Sequence, residues 1–274
     1  MYQLTARYPK KRAFITGAAS GLGRALCEQL ALDRWHIGMC DIDRKGLEQT
    51  AQMVEGHGGS AYVYDLNVSD PAQYAQVAED FLQQAGGIDL LVNNAGVSGH
   101  VGKMETAPVA DWQWIVGINQ MGVVYGCHYF VPAMKNQQSG YILNIASAAG
   151  FVNPPNMAGY NVTKAAVIAL SESLFTELKP FGVQVSVSMT TFFRTNIMQH
   201  SRGNPEMVKR GQKMVQGSNI EAATMAKQLL NACGQNRFYL LFPFQSRLLF
   251  QIKRLSPAFF RWLVGKVTRE KKLG

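Results

Sequence analysis

A turn carrying three glycines joins the first apolar run of this chain to its first helical one, and few folds accommodate such a junction. Thr16-Gly-Ala-Ala-Ser-Gly-Leu-Gly23 follows the apolar stretch Arg12 to Thr16, and Leu22 to Leu32 has the apolar spacing of an amphipathic helix. Glycine permits the tight turn and lets the backbone approach a pyrophosphate, whose charge then rests at the N-terminus of the following helix. The strand–turn–helix context gives the pattern its meaning; the glycines alone are weak evidence. Gly17, Ser20, Gly21, Leu22 and Gly23 are the expected phosphate-side residues.

The rest of the chain repeats the same alternation. Short apolar runs at Arg12 to Thr16, His36 to Cys40, Ala61 to Tyr64, Leu90 to Val92, Tyr141 to Ile145, Val183 to Val187 and Phe238 to Phe242 have the length of strands. Between them, Leu22 to Leu32, Ala72 to Leu82, Trp112 to Met134 and Ala158 to Leu178 carry apolar residues at three- and four-residue spacing. Strand and helix taking turns implies βαβ units and a parallel sheet covered on both faces. The expected fold is α/β, a doubly wound parallel sheet (Rossmann fold) in one domain over residues 1–242. The polar stretch Arg202 to Ser218 is expected to be a mobile loop, with 190–218 forming a substrate lid, and 243–274 a basic amphipathic extension.

Composition narrows the function classes. With 274 residues and 47% apolar content the chain can bury a large core. Cys27, Cys40, Cys127 and Cys233 are far apart in sequence, with no Cys-x-x-Cys pair, and are expected to be reduced thiols of a cytoplasmic protein. No secretion signal is expected, because the apolar segment after the basic start runs straight into glycines. His100, His128 and His200 show no ligand spacing with carboxylates or cysteines, so no metal is expected. The formal charge is +9, but residues 237–274 hold nine Lys/Arg against one Asp/Glu while residues 1–200 hold 13 against 15. Basicity confined to an apolar tail argues against nucleic acid and for an anionic membrane surface, with peripheral placement at its inner face.

Chemistry concentrates in three residues. Tyr160 and Lys164 stand one helical turn apart, and Ser147 closes the apolar run that begins at Tyr141. A phenol titrates near pH 10 in water, so a tyrosine that moves protons near neutrality needs a cation beside it. Lys164 supplies one on the same helix face. Tyr160 is then the general acid/base, and the Ser147 hydroxyl stabilises charge on a substrate oxygen. At the end of the second strand, Asp41 can accept hydrogen bonds from ribose hydroxyls and repel a 2′-phosphate, which favours NAD over NADP. Arg44 is the one nearby group that can meet a phosphate instead.

In its ordered motifs the chain resembles the short-chain dehydrogenase/reductase family over roughly residues 10–200. Thr16-Gly-x-x-x-Gly-x-Gly23, Asp65, Asn93-Asn-Ala-Gly96, Asn119, Ser147 and Tyr160-x-x-x-Lys164 carry the likeness. By that resemblance Asp65 and Leu66 lie beside the adenine, and Asn93, Ala95 and Gly96 form the cofactor wall. Lys164 would also bond the nicotinamide ribose, Asn119 would sit in a water-mediated relay to Lys164, and Thr195 would contact the cofactor. The implied activity is interconversion of a secondary alcohol and a ketone with NAD(P), in a homodimer or homotetramer. One departure stands out: Thr190 and Thr191 replace the family's Pro-Gly, and a β-branched residue does not adopt glycine's geometry cheaply, so a rebuilt wall is expected there.

The substrate is expected to be hydrophobic, of a steroid, acyl or aryl kind, against Ser147, Phe151, Tyr160, Met189 and Phe192, with Met198, Met207 and Met214 in the lid. The same side chains also suit plain core packing. Phe244 to Val267 suggests two short amphipathic helices, the first with Leu248, Leu249, Ile252 and Leu255 on one face. Membrane, lid and second subunit are all open as the surface they cover. A non-catalytic NAD-binding protein of regulation or assembly is the alternative to an enzyme.

Overall fold

A computed structural model describes residues 2–270. The first half of the chain runs α1 (Gln3–Arg7), β1 (Arg12–Thr16), α2 (Gly21–Ala31), β2 (His36–Asp41), α3 (Arg44–Gly56), β3 (Ser60–Asp65), α4 (Pro71–Ala85), β4 (Leu90–Asn93) and β5 (His100–Val101). It continues through α5 (Val109–Val116), α6 (Gly122–Gln137), β6 (Gly140–Ile145), α7 (Ala149–Val152), α8 (Ala158–Leu178) and β7 (Val183–Ser188). The last part holds β8 (Arg202–Gly203), α9 (Pro205–Gln216), α10 (Ala222–Gly234), β9 (Tyr239–Leu240), α11 (Phe244–Leu255) and α12 (Pro257–Glu270).

Seven strands form one parallel sheet in the order β3-β2-β1-β4-β6-β7-β9. These are the seven apolar runs of the sequence. The order reverses at β1, whose neighbours are β2 and β4, and ligands of open α/β sheets lie outside the strand ends at such a point. β1, β4 and β6 are buried at every position, as expected of strands covered on both faces. One cluster, with Ile15, Leu26, Ile37, Leu90, Leu143, Met225 and Leu229, fills one face; the other holds Phe14, Phe81, Leu91, Phe130, Ile142 and Val185.

A buried ion pair fixes the lower ends of β1 and β4. Arg12 Nη2 lies 2.8 Å from Asp89 Oδ1, and its Nε donates to Oδ2 at 3.0 Å. The Arg12 backbone N–H also donates to Oδ2, at 2.9 Å, so the carboxylate is fully engaged.

Two expectations change. Arg202 to Ser218 is largely helical: Asn204 Oδ1 accepts from Met207 N–H at 3.1 Å as the N-cap, Pro205 opens the helix, and Val215 is buried against Val101 and Met198. In α11 the inward face is Leu249, Phe250, Ile252 and Lys253, whereas Leu248 and Leu255 are 51% and 84% exposed. The side chain of Val267, residue 1 and residues 271–274 of the expected segments lie outside the described residues.

Replacing Asp89 by alanine leaves the Arg12 guanidinium buried without its partner and is expected to lower stability by about 3–5 kcal/mol in urea unfolding. A loss below about 1 kcal/mol would mean that water reaches the pair.

Candidate active site

The glycine turn is held by its neighbours on both sides. Gly17 and Ala18 N–H groups donate to Cys40 O at 2.8 and 3.1 Å, tying the turn to the end of β2. On the other side the Thr16 hydroxyl oxygen accepts from both Asn94 N–H and Ala95 N–H at 2.9 Å. The Asn94 amide returns two bonds, to Thr16 O at 2.9 Å and Gly17 O at 3.1 Å. Gly17 has φ +69°, and a Cβ there would lie 2.8 Å from Asn94 Nδ2 and 2.9 Å from Ala95 Cα. A Cβ on Gly23 would strike the Gly17 carbonyl, so the helix can start this close to the strand only with glycine. Ser20, the N-cap of α2, makes no side-chain capping bond. The first N–H groups of an eleven-residue helix therefore open on this turn, as an anionic ligand requires.

Asp41 stands at the end of β2 facing that turn. Its Oδ2 accepts from Ala19 N–H at 3.1 Å, and its Oδ1 accepts from Ile42 N–H at 2.8 Å and Asp43 N–H at 3.2 Å. Arg44 is turned away from it: Nε donates to Glu48 at 2.9 Å and Nη1 lies 3.6 Å from Asp65 Oδ2. Asp65 is exposed at the next strand end, while the Leu66 side chain is buried. Thr195 lies over the same turn, its Oγ1 3.7 Å from where a Gly21 Cβ would be.

Ser147, Tyr160 and Lys164 come together at the carboxyl ends of β4 and β6. Lys164 is buried, and its Nζ donates to Ile145 O at 2.8 Å, the residue two before Ser147. The same ammonium lies 5.7 Å from the centre of the Tyr160 ring. Burial pulls the Lys164 amine down to about 8. Burial also raises the Tyr160 phenol, and its hydrogen bond with Ser147 works against that rise. A buried ammonium with a lowered titration beside a phenol is an arrangement that can move a proton.

Asn119 sits in a π-helical turn, Gly117–Met121, between α5 and α6. Its Oδ1 accepts from Val97 N–H at 2.8 Å, and its Nδ2 donates to Val97 O at 2.8 Å and to Thr163 Oγ1 at 3.3 Å. The widened turn is what lets a mid-helix amide reach another loop. Gly96 is where Asn119 and Lys164 meet: a Cβ there would lie 3.2 Å from Asn119 Oδ1 and 3.5 Å from Lys164 Nζ. Asn93 points the other way, donating to Asn144 Oδ1 at 2.8 Å inside the sheet.

The Thr190-Thr191 departure is milder than its composition suggests. Both residues keep ordinary negative φ. Thr190 O accepts from Ala148 N–H at 2.9 Å, and Thr191 N–H donates to Phe242 O at 3.0 Å. The segment thus extends the β7 ladder, beside the loop that carries Ser147, and the expected cost of glycine-like geometry does not arise.

The substrate-side residues separate. Met189 is fully buried in the second core cluster, next to the continued ladder. Phe151 is buried against Phe250 of α11, ring centres 5.2 Å apart, and Phe192 is exposed. Beyond them, Arg202 straps the following segment down: its guanidinium stacks 3.8 Å from the Trp114 ring and pairs with Asp111 Oδ1 at 2.7 Å. His100 Nδ1 takes the other Asp111 oxygen at 3.2 Å, and the bonds from Arg202 and His100 hold that carboxyl below its usual range despite the opposing effect of burial.

Sequence reasoning missed Thr16 and Asn94, which lock the turn, and the Asp111–Arg202–Trp114 strap. The first pair stood inside quoted motifs; the strap joins residues 91 apart and left no local signal. Among the described residues, no group of three or more His, Cys, Asp or Glu is placed to hold a metal.

Known proteins share this fold. The family model for short chain dehydrogenases matches residues 11–206. Cyclohexanol dehydrogenase of an Acinetobacter species is 28% identical over 206 residues, 75% of this chain and 82% of that protein. The 2-dehydro-3-deoxy-L-rhamnonate dehydrogenase (NAD(+)) of a Sphingomonas species is 31% identical over 198 residues, covering 72% and 78%. A short-chain dehydrogenase/reductase from Burkholderia phymatum, solved in complex with NAD, superposes with a TM-score of 0.83 at 32% identity, covering 89% of this chain and 94% of that one. Match, glycine turn and buried lysine agree: the chain belongs to the short-chain dehydrogenase/reductase family, and its class of chemistry is that of an oxidoreductase.

Proposed function

We propose that this protein is an NAD-dependent alcohol dehydrogenase or carbonyl reductase that interconverts a hydrophobic secondary alcohol and its ketone. The buried Lys164 ammonium, fixed on Ile145 O beside the Tyr160 ring, is the observation that carries the reading. A binding module has no use for so costly a charge. The non-catalytic alternative loses its main support with the ordinary backbone at Thr190 and Thr191.

NAD, when bound, accepts or gives the hydride at its nicotinamide ring. The chain's own residues do the rest. Tyr160 takes the proton of the alcohol as hydride leaves the carbinol carbon, and in reduction it gives a proton to the ketone oxygen. Lys164 steadies the phenolate and, in this reading, bonds the nicotinamide ribose. Ser147 donates to the substrate oxygen. Asn119 holds the Val97 backbone at both N–H and C=O, setting the wall against which Gly96 and Lys164 face one another. Gly17, Ser20, Gly21, Leu22 and Gly23 shape the pyrophosphate turn, with Thr195 above it and Asp65 on the adenine side. Asp41 takes the ribose hydroxyls, and Arg44, engaged by Glu48 and Asp65, offers no cradle for a 2′-phosphate. The segment 190–218 acts as the substrate lid of a catalytic domain spanning 1–242. Cyclohexanol, the substrate named for one relative, is a hydrophobic secondary alcohol. A homodimer or homotetramer is the assembly this reading carries by family analogy.

With a panel of steroid, acyl and aryl alcohols, Tyr160→Phe is expected to cut kcat/KM by about 10²–10⁴-fold while NAD binding, read by calorimetry, stays unchanged. Turnover that survives the substitution sinks the assignment. Ketone reduction needs a protonated Tyr160 beside a charged Lys164, so its rate is expected to fall as pH rises through about 8. A rate indifferent to pH across that region would remove Lys164 from the proton chemistry. Asp41→Ala is expected to raise the NADP/NAD ratio of kcat/KM by at least about tenfold; no change would place the ribose elsewhere.

A further inference from the structure

The family match ends at residue 206, and α11 and α12 lie beyond it. Their sequence is apolar on more than one side, and the structure covers only one. Along α11, Leu249, Phe250, Ile252 and Lys253 face inward: Phe250 packs on Phe151 and Tyr239, and Lys253 Nζ donates to Phe151 O at 2.6 Å. Phe244, Leu248 and Leu255 fall within one stripe on the opposite side at helical pitch, and all three are exposed. In α12, Phe260 is buried, while Phe259 and Trp262 stack on each other with 5.6 Å between ring centres and are 49% and 59% exposed. Five large apolar side chains thus lie open within nineteen residues.

The charges beside them are all of one sign. Arg247, Arg254 and Arg261 are exposed along the same two helices, and Lys266 Nζ lies 5.6 Å from the Trp262 ring. Between Glu221 and Glu270 the sequence holds no acidic residue. Among the described residues no helix is long and apolar enough to cross a bilayer. Short helices with leucine and aromatic side chains on one flank and arginines on the next, with a carboxylate only at the last residue of α12, match an anionic lipid surface rather than a protein partner of mixed charge.

We propose that the outward face of α11 and α12 docks on an anionic lipid bilayer, its apolar side chains entering the interface and its arginines meeting lipid phosphates. The inner face of α11 rests on α7, two residues beyond Ser147, so docking turns the flank of the candidate active site toward the membrane. The proposal stands apart from the reaction, and vesicle binding reads it without turnover.

Sedimentation of the full chain with phosphatidylcholine vesicles, with and without phosphatidylglycerol, tests it. Binding is expected with the anionic vesicles and is lost in high salt. Arg247→Ala, Arg254→Ala and Arg261→Ala together are expected to lower the partition coefficient on the order of a hundredfold. A Leu255→Ser, Trp262→Ser double variant is expected to weaken it as well. Both variants should keep the Tm and NAD affinity of the parent, which separates a lost surface from a lost fold. Absence of binding, or equal binding by parent and folded variants, overturns the proposal. So does lipid-free dimerisation that the same substitutions abolish, which would assign the face to a second copy of the chain.

Discussion

Two backbone N–H groups, from Asn94 and Ala95, converge on the Thr16 hydroxyl, and the Asn94 amide answers with bonds to the carbonyls of Thr16 and Gly17. This clasp joins the ends of β1 and β4 at the place where the sheet changes direction. The glycine turn and the loop after β4 are both anchored by it. The glycine turn lies on one side, and on the other the chain runs on to Gly96, Val97 and the Asn119 amide. Each of the four bonds joins one side-chain atom to one backbone group, so two short side chains fix the spacing of the two strand ends.

Lys164 shows how the fold maintains an unfavourable buried group. A buried ammonium is unstable unless its protons find acceptors, and here the Ile145 carbonyl, at the end of a fully buried strand, provides one. The lowered amine titration is the sign of that strain. The lysine therefore depends on β6, the strand that also leads into Ser147, so that ammonium and hydroxyl are positioned by one rigid edge.

Much of this was legible in the sequence. The seven strands, the helix from Ala158 to Leu178 and the glycine turn follow from periodicity and local backbone demands, which act over a few residues. What escaped was non-local or depended on context. Asn94 and Thr16 are ordinary turn and strand residues until the sheet brings them together. The helix at Pro205 was hidden by its polar composition, although Asn204-Pro205 is a good start signal. For Met189, hydrophobicity alone does not tell a wall from a core, and the structure shows it fully buried. In α11 an apolar stripe wider than one interface left the covered side undetermined; Phe250 and Lys253, which do the docking, decide it.

The strap made by Arg202 determines what holds the segment between Thr190 and α9 in place. Between Thr190 and α9 the chain is fastened by an ion pair, a guanidinium on an indole, a serine pair at Ser98 and Ser201, and two short strands. Little apolar surface is involved beyond Val101, Met198 and Val215. Polar fastenings at a surface exchange for water at small net expense, whereas the sheet beneath is held by fully buried strands. The molecule thus joins a frame held by fully buried strands to a segment held over it mainly by polar contacts, and of the two the segment has the lower cost of local opening.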